Sequence, residues 1–217
     1  SSIFKKKEGI NKKILIIYSN KYESIAMSIK SKYPNELYFL LNKEGFEENI
    51  QKVLDINSSF QRYSKISNLD KNIEINHIPR PRKDISKIYF LVDYDFGKTI
   101  VPVFRSYALD IKFYSTSELF HDATDVKKLE DFENSFIPLP LEIIQKINNK
   151  RDIVNMKNGF EILMINDFLT IEKDYQNNNY SKNIILETGP TKFQRNKCIN
   201  RNLPISKINI NNITLQT

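Results

Sequence analysis

Apolar and polar positions along this 217-residue chain change period several times, and the changes mark out its elements. Lys13 to Tyr18 (KILIIY) is a short unbroken apolar run, the pattern of a strand covered on both faces in a parallel sheet. Asn20 stands where a helix cap is expected, and Tyr22, Ile25, Ala26, Ile29 and Tyr33 then recur at helical spacing. Pro34 and Asn35 stop that helix before a second apolar run, Leu37 to Leu41, which completes a β-α-β unit. Phe46, Ile50, Val53 and Leu54 mark a further amphipathic helix, and Phe60, Tyr63 and Ile66 extend the helical character to Leu69.

Pro79-Arg80-Pro81-Arg82 has to be extended, because each proline fixes its own φ and moves its predecessor away from αR. It leads into a strand, Lys87 to Val92 (KIYFLV). Asp93 or Asp95 caps the next predicted helix, whose apolar face is Phe96, Ile100, Phe104 and Tyr107. Pro102 lies inside it, which predicts a bend near Thr99. Ile111 to Tyr114 is the next strand. Strands alternating with helices imply an α/β fold with parallel pairing and right-handed crossovers.

Beyond Phe120 the alternation loosens. Phe132 to Pro140 reads as a short strand and an irregular crossing, Leu141 to Ile147 as a helix, and Phe160 to Ile171 as a longer one. Ile184 to Leu186, Lys192 to Arg195 and Ile205 to Ile210 read as short terminal strands with antiparallel pairing.

Composition adjusts this picture in three ways. The formal charge of +7 raises acidic partners as a class, but no Lys/Arg cluster is interleaved with exposed aromatics as in a stacking platform, so a nucleic-acid partner is not expected. Seven of the 33 cations are arginines (Arg62, Arg80, Arg82, Arg105, Arg151, Arg195, Arg201), and where Lys is the default, each guanidinium implies a fork to a carboxylate or a stacking role. A single cysteine, Cys198, excludes an internal disulfide and a Cys-based metal cluster, and two separated histidines, His77 and His121, argue against a zinc site. No apolar run approaches the roughly 20 residues of a membrane helix. The opening SSIFKKKEG has no signal-type apolar segment, so the chain reads as a piece of something longer.

Candidate chemistry is sparse. The turn after the first strand is Ser19-Asn20-Lys21-Tyr22, and with five glycines in the chain neither a dinucleotide fingerprint nor a P-loop is present. Ser117 follows a strand and His121 lies four residues on, but no glycine makes a nucleophile elbow. Asp93 and Asp95 straddle a strand end, where helix capping accounts for both. Cys198 lies near Arg195, Lys197 and Arg201, a setting that lowers a thiol pKa, although a lone Cys is more often a small buried apolar residue. No catalytic residues, cofactor or metal are assigned.

Taken in order, SSFQRYSKI with Arg62, PRPRKDISKIYFLVD, a Pro-containing helix, IKFYSTSELF, ENSFIPLP, an NDF-containing helix and ETGPTKFQRNKCINRNLP resemble the LppC family, the LpoA-type penicillin-binding protein activators. Arg80, Arg82, Asp84 and Phe90-Leu91-Val92 match its R-x-R-x-D entry to a buried strand. Tyr114, Ser115, Thr116 and Ser117 match its YATS strand end, and Arg201, Leu203 and Pro204 its closing stretch. The chain departs from the family pattern at Leu141, Ile165 and Lys192, where the family carries Trp, Gly and Gly.

The resemblance implies a type I periplasmic-binding-protein-like fold, a parallel sheet flanked by helices, lacking the first half of lobe one. Residues 1–117 would form the second lobe, and 118–217 a crossover and the returning part of the first. An N-terminal helical-repeat domain and a lipid-bearing cysteine would lie outside this chain, so that the membrane is reached only through a lipid anchor. The implied function is non-enzymatic: binding and stimulating a class A penicillin-binding protein from the periplasmic face of the outer membrane, with peptidoglycan as a further contact. Arg80, Arg82, Tyr114, Thr116 and Ser117 are the candidate ligand or partner contacts, and Arg82, Asp84 and Arg201 the candidate structural ion pairs. A small-molecule receptor of the same fold, binding an amino acid or peptidoglycan fragment in its cleft, is the competing expectation, and a flavodoxin-like enzyme with a copurifying cofactor is a third.

Overall fold

The structure is a computed structural model that describes residues 12–69, 77–120, 126–149, 156–176, 183–193, 199–201 and 203–216. Two compact units divide at Tyr114/Ser115.

In the first unit β1 (Lys13–Tyr18) lies between β2 (Leu37–Leu40) and β3 (Ile85–Leu91), parallel to both. With β4 (Lys112–Ser115) beside β3, the order is β4-β3-β1-β2. Leu15, Ile16 and Ile17 are fully buried, as a central parallel strand requires. The helices are α1 (Glu23–Lys32), α2 (Phe46–Val53), α3 (Ile56–Ser67) and α4 (Tyr94–Tyr107).

The strand-helix-strand stretch β3-α4-β4 is locked by three rings, one from each element. Phe90 on β3 meets Phe104 on α4 edge-on at 5.3 Å and Phe113 on β4 at 5.5 Å, and all three are buried. Edge-to-face geometry adds about 0.5–1.5 kcal/mol per pair beyond area burial. Arg105 lays its guanidinium over the Phe113 ring at 5.8 Å, one of the stacking roles that arginine suits and lysine does not. On the far side of β1, Ile14, Ile16 and Tyr18 pack with Tyr22, Ala26 and Leu91.

The sequence pattern misses a helix break. The helix expected from Phe46 to Leu69 is two helices, because Asp55 adopts a left-handed backbone (φ 56°) that ends α2 and restarts the chain as α3. Apolar residues continue at helical spacing through the break, so periodicity alone conceals it. α4 runs from Tyr94 to Tyr107 through Pro102 as a single helix.

The second unit contains β5 (Ser135–Pro138), α5 (Leu141–Asn148), α6 (Met156–Gln176), β6 (Asn183–Leu186), β7 (Gly189–Phe193), β8 (Ile199–Arg201), β9 (Ile205–Ile208) and β10 (Ile213–Leu215). β9 pairs antiparallel with β5 and β10, and β6-β7-β8 form a separate antiparallel sheet. β8 and β10 have no counterpart in the sequence pattern. Three-residue strands are too short to show a period, and the Asn148 amide holds β10 by bonding both Ile213 N–H (2.9 Å) and Ile213 C=O (2.8 Å). β7 begins at Gly189 rather than Lys192; Gly189 has φ 135°, a backbone that glycine adopts without a Cβ clash.

Candidate functional site

The order β4-β3-β1-β2 reverses direction at β1: the chain leaves β1 for β2 on one side and then crosses to β3 on the other. In open parallel sheets the carboxyl ends of the strands at such a reversal leave a crevice that no connection fills. A cleft of about 620 Å³ lies there. Ser19, Asn20 and Lys21 enter it from the end of β1, Asn42 and Lys43 from the end of β2, and Asp93 from the end of β3. The backbone ladder carries on past the strand ends, with Ser19 N–H bonded to Leu91 C=O (3.2 Å) and Leu41 N–H to Tyr18 C=O (2.9 Å), and so fixes these loops relative to one another.

The polar groups differ in how far they are committed. Asp93 caps α4 by accepting from Phe96 N–H at 2.9 Å. Asp95 pairs with Lys98 at 2.8 Å, and this hydrogen bond and charge, with Lys43 adding a smaller pull, hold its carboxyl below the usual range. The Ser19 hydroxyl is buried with no hydrogen-bond partner among the described residues. Buried hydroxyls are usually paired, so an orphaned one at a cleft marks a place where a ligand or water completes the bonding. Asn20, Lys21, Asn42 and Lys43 are exposed.

The residues singled out by sequence lie elsewhere. Arg82 forks to Asp84 with both bonds at 2.6 Å, from Nε to Oδ1 and from Nη2 to Oδ2. That hydrogen-bonded fork holds the Asp84 carboxyl below its usual range and raises the guanidinium. The pair sits at the entry to β3, where Arg82 N–H bonds Leu54 C=O and Asp84 C=O accepts from Lys13 N–H, so it clamps the chain between α2 and β1. Arg80 is exposed and its N–H donates to Ser59 Oγ at 3.2 Å. His77 bonds the same hydroxyl at 3.2 Å and stacks on Tyr63 at 4.5 Å. Tyr114 is buried with the Lys87 ammonium 5.8 Å from its ring centre. Thr116 is half-buried, its Oγ1 with no hydrogen-bond partner among the described residues, and Ser117 opens a short 3₁₀ turn. Arg201 pairs through its backbone with Thr191. Arg195, Cys198 and His121 lie outside the described residues. None of the sequence-selected contacts lines the 620 Å³ cleft.

The contacts that Asp167 makes leave no mark in the sequence pattern. Asp167 on α6, 1% exposed, accepts from the backbone N–H of Glu187 at 2.8 Å and from the Thr188 hydroxyl, and Asn166 Nδ2 donates to Glu187 Oε2 at 3.0 Å. The NDF helix and the ETG turn are thus directly tied. A buried acid in the middle of a predicted amphipathic helix is the available signal, since burial demands a partner. Among the described residues no cluster of His, Cys, Asp and Glu has metal-binding geometry, and no helix is long and apolar enough to cross a membrane.

A mostly parallel sheet flanked by helices, with a strand-end cleft at the reversal, defines a periplasmic-binding-protein-like fold. Among solved structures the chain is similar to full-length LpoA from Haemophilus influenzae, at 8% identity and TM-score 0.59, over 95% of this chain and 36% of that one. It is also similar to the LpoA C-domain from the same organism, a regulator of PBP1A, at 8% identity and TM-score 0.58, over 96% of this chain and 62% of that one. A solute-binding protein of an ABC transporter from R. palustris, in complex with benzoate, aligns at 8% identity and TM-score 0.48, over 94% of this chain and 57% of that one. The chain therefore spans just over a third of full-length LpoA and under two thirds of its C-domain. No protein-family model matches the sequence, and no curated protein matches it.

Proposed function

We propose that this chain is part of a non-enzymatic regulator that binds a class A penicillin-binding protein and stimulates its transpeptidase activity, acting in the periplasm at the outer membrane. The observation that carries the reading is that, within each unit taken by itself, segments with a collinear resemblance to LpoA-type activators make specific side-chain contacts. Arg82 forks to Asp84 within the R-x-R-x-D entry, and the NDF helix is tied to the ETG turn through Asp167. The similarity in fold to the LpoA C-domain supports the same reading. Contact with a partner needs no acid-base pair or nucleophile, and of the candidate contacts Arg80, Arg82, Tyr114, Thr116 and Ser117, Arg80 is exposed. The deciding experiment adds the purified protein to a class A penicillin-binding protein with lipid II and measures peptide crosslinking. A rise in crosslinks is expected, and unchanged crosslinking at saturating protein would overturn the proposal.

A second reading rests on the cleft. A small-molecule receptor of the same fold is favoured by the Ser19 hydroxyl, which has no partner among the described residues and lies in the cleft with Asn20, Lys21, Asn42 and Lys43. It predicts saturable thermal stabilisation by an amino acid or a muropeptide, without any penicillin-binding protein present.

A further inference from the structure

We propose that the open edge of β2 docks a second copy of this chain, the two β2 strands pairing antiparallel about a two-fold axis at Phe39. β2 has β1 on one side and, among the described residues, no strand on the other. Its hydrogen-bond phase fixes which backbone groups face outward. Leu41 N–H reaches Tyr18 C=O, so Leu41 faces β1, while the next residue of β1, Ser19, bonds Leu91 on the opposite side. Backbone direction alternates along a strand, so Leu37 and Phe39 also face β1, and Tyr38 and Leu40 turn their N–H and C=O groups outward. Those groups have no hydrogen-bond partner among the described residues.

A row of open donors and acceptors is a template for another strand, and edges are ordinarily blunted by a charge, a proline or a bulge. Leu37-Tyr38-Phe39-Leu40 has no charge and no proline, and it runs along β1 without a register shift. The Tyr38 hydroxyl donates to Tyr33 C=O at 2.9 Å and its ring packs on the Ile14-Ile16-Tyr18 cluster, so the ring lies over the sheet face.

The side chains single out a second copy as the occupant. With the axis at Phe39, Tyr38 of each copy stands opposite Leu40 of the other and exchanges both backbone hydrogen bonds with it. Phe39 meets Phe39 of the second copy as a non-hydrogen-bonded pair, the closer kind, where aromatic side chains across the ladder attract. Beyond the strand Glu36 falls opposite Asn42 and Asn35 opposite Lys43, so no like charges meet. Moving the axis to Tyr38 sets Leu40 against Glu36, and moving it to Leu40 sets Tyr38 against Asn42. The Phe39 register is the one that matches apolar with apolar. The contact is isologous and closes at two copies, joining β4-β3-β1-β2 of each into one sheet. It is independent of whether the protein is an activator or a receptor.

Sedimentation equilibrium over a roughly hundredfold range of protein concentration, together with disulfide trapping, tests this. A monomer-dimer equilibrium is expected. Leu40→Pro removes an outward N–H that the protomer's own ladder does not use, and by symmetry it deletes a bond at each end of the pairing. It should raise the dimer dissociation constant by about tenfold or more, with circular dichroism and melting unchanged. In a Cys198→Ser background, Phe39→Cys should form a disulfide-linked dimer under mild oxidation, because residues paired this closely lie within disulfide reach. Leu40→Cys, which stands opposite Tyr38 and not opposite itself, should stay reduced. A protein that is monomeric at every concentration would overturn the proposal. So would dimers that a folded Leu40→Pro leaves intact, or crosslinking of Leu40→Cys as fast as Phe39→Cys, since either puts the contact elsewhere. If Leu40→Pro does not fold, the two cysteine variants decide by themselves.

Discussion

The Asp167 carboxylate accepts the backbone N–H of Glu187 at 2.8 Å across twenty residues of chain, and the same carboxylate holds the Thr188 hydroxyl. α6 is thereby fastened to the turn where β6 becomes β7. Asp167 and Thr188 are buried, so the Thr188 hydroxyl depends on this one side chain, while Glu187 itself is exposed and its N–H bond is part-buried.

Replacing Asp167 with Ala leaves the Glu187 N–H and the Thr188 hydroxyl without their acceptor. Hydrogen bonds to a charged group contribute about 1.5–3 kcal/mol each, and the orphaned buried hydroxyl adds a desolvation cost. A loss of about 3 kcal/mol is expected in urea unfolding, with faster exchange of the Glu187 amide proton. Asp167→Asn keeps one acceptor oxygen and is expected to lose about half as much. Equal stability of the wild type and Asp167→Ala would remove Asp167 from this role.

Arg82→Lys keeps the charge and abolishes the fork to Asp84. Both side chains are about a third exposed (37% and 32%), so solvent screening limits the loss to about 1 kcal/mol or less. The pH dependence is the sharper readout. Asp84 has a depressed pKa in the folded state, chiefly through the hydrogen bond from Arg82, so its contribution is present above the unfolded carboxylate value near 4 and fades as pH falls through the folded value. Below pH 4 the wild type should lose stability more steeply than Arg82→Lys. Parallel acid-unfolding curves would count against the clamp.

Burial pushes the Tyr89 phenol up to about 12. A phenol with a raised folded pKa holds its proton more tightly when folded than when unfolded. Its contribution is therefore complete below pH 10 and lost between pH 10 and 12. Tyr89→Phe should flatten the alkaline stability curve in that window, and the phenolate absorbance near 295 nm should show one fewer late-titrating tyrosine. An unchanged curve would assign the alkaline loss to other groups, Tyr38 being the other phenol raised to about 12.

Ser19→Ala deletes a buried hydroxyl with no partner among the described residues, so the melting temperature should hold or rise slightly. If the strand-end cleft receives a ligand through that hydroxyl, ligand-induced stabilisation falls by several-fold in the variant. A variant that loses stability without ligand would show instead that the hydroxyl is bonded in solution.

Phe90→Ala removes the shared centre of the Phe90-Phe104-Phe113 trio, and a cost of about 3–5 kcal/mol is expected from the cavity and the lost ring contacts. A cost under 1 kcal/mol would mean that the three elements are held together elsewhere.

Much of the first unit was legible in order. β1, β2, β3 and β4 fall on the runs around Ile16, Phe39, Phe90 and Phe113; for β1 the reason is that a strand buried on both faces has to be apolar and short, whereas β2 is a half-buried edge strand that is still apolar throughout. The left-handed Asp55 was not legible, since Asp occurs in many backbone states and the neighbouring apolar spacing stayed helical. The strand-end cleft was half visible. Ser19 and Asn20 stood out as the turn after β1, but Asn42 and Lys43 come from a loop more than twenty residues later and are ordinary polar residues when seen along the chain.

Local chemistry in the chain was enough to set the alternation of strands and helices, the extended Pro-Arg-Pro-Arg entry and the short-range Arg82–Asp84 fork, because each depends on residues a few positions apart. Tertiary structure alone decided that Asp167 meets Glu187 and Thr188, that the ends of β1, β2 and β3 enclose one cleft, and that α6 turns Ile165 and Phe168 outward. Those outcomes depend on which distant segments come together, and a side chain's partner at that range leaves no period or spacing in the sequence.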